Sequence, residues 1–345
     1  FDINPKCKKV VDSLHGKSVV QIQDLTALLV EEWKDCEGLV VGTPCQLFSA
    51  LGLGEGMADE RSAVLKAVLA AIKHLSRRPG RMLHWVVFEN VARFTAMVNG
   101  TCGFEVLKDW WSVNMAHWGT LDVWTLNLKK YGIPQSRERV FIIGRSNLFK
   151  EISGVPLLVK PREVEGPKLL SFLNSELVQD RDLTPKMIDN LNKYKDRMAK
   201  HSDREYEVAS FSVDRDPTKN YKSNLYFDLM HTITVQNRYL YVVGKPSSDV
   251  EKLLGVDGRK LHVEERSRLQ GVVYESLRQT AGKSDIIQLL GNTMSFNILQ
   301  RVFVSALSLT YSIELCDPWL DGSAVGRLRD DVQWEVGQQI GRAHV

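Results

Sequence analysis

"LVVGTPCQLFS", Leu39 to Ser49, is the stretch whose reading decides the fold. Leu39, Val40 and Val41 are apolar and β-prone, and Gly42 ends the run. Pro44 fixes its own φ and pushes Thr43 towards extended backbone. This predicts a buried strand with Cys45 just beyond its carboxyl end, on a rigid loop. In open α/β sheets that edge is where ligands bind. The plainer alternative is a small cysteine packed in a turn, where free cysteines usually sit.

Working outward, strand-like and helix-like segments alternate. Strands are expected over Ser18–Leu25, Gly38–Thr43, His84–Asn90, Leu121–Leu128 and Arg139–Gly144. Between them Asp59–Leu75 repeats Val64, Leu65, Val68, Ala71 and Ile72 at helical spacing, with Lys73 and His74 at the end that favours cations. Such alternation predicts an α/β fold with a doubly wound, mostly parallel sheet. From Ser146 to Leu229 charges are dense, and Pro156, Pro161, Pro167 and Pro185 break the periodicity. A smaller, irregular unit is expected there. His231–Gly244 then reads as two strands or a hairpin, "HVEERSRLQG" as a short helix and "NTMSFNILQRVFVSALSLTYSI" as a long one entered at Asn292–Ser295.

The chain has 345 residues, 43% hydrophobic and 25% charged, enough for a sizeable core in a soluble protein. A net charge of +3 gives no strong overall attraction to nucleic acid, although a local basic groove could hide in that balance. The cysteines, Cys7, Cys36, Cys45, Cys102 and Cys316, form no C-x-x-C pair. Their odd number and wide spacing argue against a disulfide framework or a zinc site, and for a reducing, intracellular setting. No signal peptide or apolar run of about 18 residues is seen, so no membrane partner is expected.

Cys45 has company. "FENV", Phe88 to Val91, places Glu89 and Asn90 at the carboxyl end of the next predicted strand. In a parallel sheet the same ends of neighbouring strands face one crevice, where a cysteine and a carboxylate would meet. "QSRERVFIIG" puts Gln135, Arg137 and Arg139 at alternate positions before an apolar strand, and so on one face if they are extended. Taken singly, Glu89 reads as a solvated acid and the arginines as an exposed strand edge.

In order and spacing these pieces resemble the DNA cytosine-5 methyltransferases. "GTPCQLFS" is similar to that family's Pro-Cys-Gln loop, "FENV" to its Glu-Asn-Val element, and "QSRERVFIIG" to its Gln-x-Arg-x-Arg element. "RLQG" (Arg268 to Gly271) and "LLGNTMSFNIL" (Leu289 to Leu299) resemble its Arg-Leu-Gln-Gly and Gly-Asn elements. The resemblance runs to about Ile313 and is weakest in the middle unit. It implies a Rossmann-like S-adenosylmethionine-dependent fold, with a catalytic core over 1–145, a small irregular target-recognition region over 146–230, a return to the core over 231–313, and a tail over 314–345. It implies double-stranded DNA as partner, with the target cytosine flipped out, no metal, and a nuclear location in a eukaryote.

By this resemblance Cys45 is the nucleophile, Glu89 holds N3 and the exocyclic amine, and Arg137 and Arg139 orient the base carbonyl and a phosphate. Pro44, Gln46, Asn90 and Gln135 position the loop and the base. For S-adenosylmethionine, Asp2 takes the ribose, Ile3 packs on the adenine, Asp24 and Leu25 meet the adenine edge, and Asn292 and Thr293 close over it. Asp24 also reads as a cap for "LTALLVEEW". The family's Phe-x-Gly-x-Gly cofactor loop and its strand are expected before Phe1, so the sequence reads as a fragment, and the closing "IGRAHV" as an artefact. Two other functions compete. A tRNA cytosine-5 methyltransferase would carry a Cys-Phe-Thr element, and there is no cysteine between Cys102 and Cys316. A silent, methyltransferase-like regulatory domain would have lost catalytic residues that stand here.

Overall fold

The structure is a computed structural model that describes residues 4–42, 62–78, 83–98, 100–147, 158–174, 183–219, 225–235, 239–311, 315–320 and 322–329. In chain order the first part holds α1 (Pro5–His15), β1 (Gly38–Gly42), α2 (Ser62–Leu75) and β2 (Trp85–Val91). A two-stranded turn of β3 (Met97–Val98) and β4 (Thr101–Cys102) leads into α3 (Gly103–Asn114), β5 (Gly119–Asn127) and β6 (Glu138–Ser146). The main sheet has the order β1-β2-β6-β5. β1 and β2 are parallel, and β6 runs antiparallel to both β2 and β5. β1, β2 and β5 therefore share a direction, with one reversed strand between the last two. The sheet is α/β and mixed.

Alternation along the central strands builds two cores. Val86, Phe88, Val140 and Ile142 face α2 and α3, packing on Leu65, Val68, Ile72, Leu107 and Trp111. Val87, Phe141 and Ile143 face the other way, towards Ile298 and Val302 and towards the second sheet. Strands buried on both faces read as continuous apolar runs, which is why "WVVF" and "VFII" carry no polar alternation. Gly119 pairs with Ser146 at the sheet edge, and a Cβ added there would fall 1.7 Å from the carbonyl oxygen of Arg145. Gly119→Ala is expected to cost about 1–3 kcal/mol, the usual penalty of forcing extra volume into a packed site. Equilibrium urea denaturation measures it.

The second part adds α4 (Pro185–Ala199), β7 (Val208–Ser212), β8 (Tyr226–Phe227), β9 (Leu240–Gly244), α5 (Asp249–Leu254) and β10 (Arg259–Lys260). Its antiparallel sheet has the order β10-β9-β7-β8. One face packs on α4 through Leu191, Tyr194 and Met198. The other contributes Val208, Leu240 and Val242 to the core shared with the main sheet. The chain closes with α6 (Val263–Arg268), α7 (Tyr274–Arg278), α8 (Lys283–Asn292), α9 (Phe296–Tyr311) and α10 (Ser323–Arg329). Trp319, Val325 and Leu328 are buried in that shared core.

A buried ion pair joins the second sheet to α6. Glu265 accepts from Arg259 Nη1 at 2.8 Å and Nη2 at 2.5 Å, and from the amides of Asn174 and His262 at 2.8 Å each. Four donors on one carboxylate are what makes burial of that charge tolerable.

Two sequence expectations are corrected. Ser18–Leu25 forms no strand. The amides of Val19 and Val20 both donate to Asp12 Oδ1 at 2.8 Å, so this segment is tied to α1, with Val19 and Ile22 exposed and Ile22 in no more than a single β-bridge. His231–Gly244 holds one strand, β9, and not two among its described residues. Met230 and the residues after it pack on Pro134–Ser136, where Met230 N donates to Pro134 O at 2.7 Å and Ser136 N to Met230 O at 2.8 Å.

Candidate active site

The site is built where β1 and β2 end. β1 stops at Gly42, which stands opposite Glu89 in the parallel register. A Cβ on Gly42 would lie 2.6 Å from Met294 Cε, so the thioether of Met294 covers the strand end closely. Cys45 follows Gly42 by three positions in the sequence. Pro44, Cys45 and Gln46 lie outside the described residues, as do Asp2 and Ile3.

Glu89 meets Arg139. Its Oε1 lies 3.0 Å from Arg139 Nε, and the two side chains are 12% and 14% exposed. The pair is diagonal across two strands: Arg139 stands opposite Val91, two residues beyond Glu89 on the same face. Burial pushes the Glu89 carboxyl above the ordinary glutamate range, against the opposing pull of Arg139 and then Arg137. A carboxyl held in this way at a strand end keeps its proton to higher pH than a free glutamate and is suited to donating it. Asn90 is 3% exposed, and its Oδ1 accepts from the Val91 amide at 2.8 Å, fixing the end of β2.

Gln135, Arg137 and Arg139 do not share one strand face. β6 begins only at Glu138. Before it the chain turns tightly: Gln135 N donates to Ile133 O at 2.7 Å and Arg137 N to Gln135 O at 3.0 Å. These i→i+2 bonds break the period-two geometry and send the side chains apart. Gln135, fully buried, donates to Leu269 O at 3.2 Å, within the Arg-Leu-Gln-Gly element. Arg137, 2% exposed, donates from Nη1 to Ile233 O and from Nη2 to Thr293 O, each at 2.8 Å. Arg139 pairs directly with Glu89.

The described cofactor candidates offer hydrogen-bonding groups to solvent. Asn292, the last residue of α8, is exposed. Thr293 caps that helix and returns its hydroxyl to Leu289 O at 2.7 Å. Asp24 is exposed, and its Oδ1 accepts from Thr26 N at 2.9 Å and Thr26 Oγ1 at 2.7 Å. It closes a turn and not a long helix, since only Val30–Glu32 turns helically after it. Leu25 is partly buried against the α2 core. An exposed carboxylate and an exposed carboxamide are the chemistry that ribose hydroxyls and an adenine edge take, so these residues fit an adenosyl group.

Sequence reasoning missed Met294 and the carbonyls of Ile233 and Thr293. Main-chain acceptors leave no mark in a sequence. Gly42 was the one available signal: a glycine closing a buried strand points to close approach by another group.

The chain matches the model of the C-5 cytosine-specific DNA methylases over residues 1–307. It belongs to that family. Members use S-adenosylmethionine as methyl donor. Among curated proteins it is similar to the type II methyltransferase M.HaeII of Haemophilus aegyptius, 34% identical over 121 residues, which is 35% of each chain. It is also similar to M.HhaI of Haemophilus parahaemolyticus, 29% identical over 167 residues, 48% of this chain and 46% of that one. The chain spans less than half the length of these relatives. Among solved structures, S. pombe Dnmt2 methyltransferase superposes with a TM-score of 0.55 at 18% identity, covering 90% of this chain and 89% of that chain. The Entamoeba histolytica methyltransferase EhMeth gives 0.55 at 16%, with coverage of 90% and 88%. These likenesses show the methyltransferase fold. Among the described residues no helix is long and apolar enough to cross a membrane.

Proposed function

We propose that this C-5 cytosine methylase transfers a methyl group from S-adenosylmethionine to carbon 5 of cytosine in duplex DNA. The observation that carries the reading is the Glu89–Arg139 pair, held at 3.0 Å opposite Gly42, from which the chain runs on to Pro44-Cys45-Gln46.

Carbon 5 of cytosine is too weak a nucleophile to be methylated unaided. The Cys45 thiolate adds to carbon 6, and the electron pair moves through the ring towards N3. Glu89 donates its proton or a hydrogen bond there as negative charge builds. Arg139 holds Glu89 in place and presents its guanidinium to the base carbonyl. When bound, S-adenosylmethionine supplies an electrophilic methyl group on sulfur. Asp2 would take its ribose, Ile3 would pack on the adenine, Asp24 and Leu25 would meet the adenine edge, and Asn292 and Thr293 would close over it. Removal of the C5 proton and expulsion of the thiolate release the product. The reacting carbons are shielded inside a duplex, so the target base is flipped out. Residues 146–230 act as the target-recognition region. A cation over an aromatic ring within that region, Arg204 over Phe227 at 4.6 Å, supports this. A DNA substrate places the protein inside the cell, in the nucleus of a eukaryote.

Labelled S-adenosylmethionine, offered with cytosine-containing duplex DNA and in parallel with tRNA transcripts, tests the reading. Label is expected in 5-methylcytosine of the DNA. Label in tRNA alone would transfer the site to RNA, and label in neither would leave a silent domain.

A further inference from the structure

We propose that Arg137 is a positioning residue that couples DNA engagement to cofactor engagement, by pinning the chain that leaves the recognition region to the turn that closes the cofactor site. This inference rests on the methyltransferase reading above.

Arg137 is 2% exposed, and its planar fork spans two separate pieces of main chain. Nη1 reaches Ile233 O, and Nη2 reaches Thr293 O, both at 2.8 Å. Ile233 lies just beyond the proposed recognition region. Thr293 is the C-cap of α8, next to Asn292. Carbonyls at a helix C-terminus carry partial negative charge, so a cation is stabilised there. No lysine reproduces this geometry, because its ammonium is a point donor and the guanidinium is a rigid fork.

The two pieces also touch directly. A Cβ on Gly291 would sit 2.3 Å from Val235 N and 2.7 Å from Thr234 C. The backbone of Thr234–Val235 thus lies against α8 just where that helix ends, and only a glycine permits it. On its other side the same segment is fixed to the Arg137 loop: Met230 forms a bridge with Gln135, and Thr232 Oγ1 donates to Ser136 O. The α8–α9 turn is held in turn by Gln270, whose Oε1 accepts from Ser295 Oγ at 3.1 Å and whose carbonyl accepts from Phe296 N at 3.0 Å. Met294, in that turn, packs on Gly42 opposite Glu89. A displacement of Ile233–Val235 on DNA binding is therefore passed through Arg137 and Gly291 to Thr293, and from Met294 to the end of β1. This is a contiguous physical link between two ligand sites, the condition for a coupling free energy.

The test measures the affinity of S-adenosylhomocysteine with and without cytosine-containing duplex DNA, in the wild type, Arg137→Lys and Arg139→Lys. The wild type is expected to bind about 5- to 150-fold more tightly with DNA, the usual span of coupled sites. Arg137→Lys should bring that ratio to about one. Arg139→Lys should keep the ratio and lose turnover. An unchanged ratio in Arg137→Lys, or a ratio of one in the wild type, overturns the proposal. Absence of both cofactor binding and methylation in the wild type would instead overturn the methyltransferase reading beneath it. Should Arg137→Lys fail to fold, hydrogen exchange on the wild type decides. S-adenosylhomocysteine alone should slow exchange at residues 231–235, and no change there counts against the coupling.

Discussion

Cys45→Ala is expected to abolish covalent capture of DNA carrying 5-fluorocytosine and to lower methyl transfer by on the order of 10⁴–10⁶, as removal of a covalent nucleophile does elsewhere. The logic is in the electron count. Thiolate addition to carbon 6 makes carbon 5 nucleophilic, and after methylation the C5 proton must leave so that the thiolate can be expelled. Fluorine in place of that proton cannot leave as a cation, so the Cys45–base bond persists and survives denaturation. Cys102 supplies the control. It is 7% exposed, with Sγ 3.7 Å from Phe94 O, and lies in the β3–β4 turn. Cys102→Ala should trap as the wild type does. Capture by Cys45→Ala would refute the assignment.

The parts of this fold legible in the sequence are those that bury apolar runs in a regular period. β1, β2, β5 and β6 fall within two residues of their expected bounds, and α2 ends at the expected Leu75. The failures have physical causes. Ser18–Leu25 has strand-like residues, but a single carboxylate, Asp12, captures two of its amides. In the middle unit β7 is buried on both faces, so no alternation marks it. β7 even carries two serines, tolerated because Ser210 Oγ donates to Leu229 O at 2.7 Å and Ser212 Oγ to Asp214 Oδ1 at 2.5 Å. In the site, Glu89 and Asn90 stand at the carboxyl end of β2, as the apolar run before them predicts. The arginines were harder, because the Arg137 side chain is fixed by carbonyls 96 and 156 residues away in the sequence.

Glu89→Gln should lower methylation by about 10²–10⁴, the range for loss of general acid–base help, while the protein stays folded. The amide oxygen can still accept from Arg139 Nε, so the strand-end geometry survives, but no proton is available for N3. The pH dependence separates this from a merely structural role. Burial raises the Glu89 carboxyl above the ordinary 4.5, with Arg139 and Arg137 opposing. The wild-type rate should therefore fall as pH rises past that raised value and the acid form is lost. The residual rate of Glu89→Gln should lack this limb. Stability follows the same sign. Between pH 4.5 and the raised value the native state holds a proton that the unfolded chain has released, so Glu89 favours folding at low pH. That contribution is full below 4.5 and is lost as pH rises through the raised value. Thermal melts of wild type and Glu89→Gln should diverge in slope across this window and run parallel outside it. Near-wild-type turnover in Glu89→Gln, with parallel melts throughout, would show that Glu89 only holds the strand end.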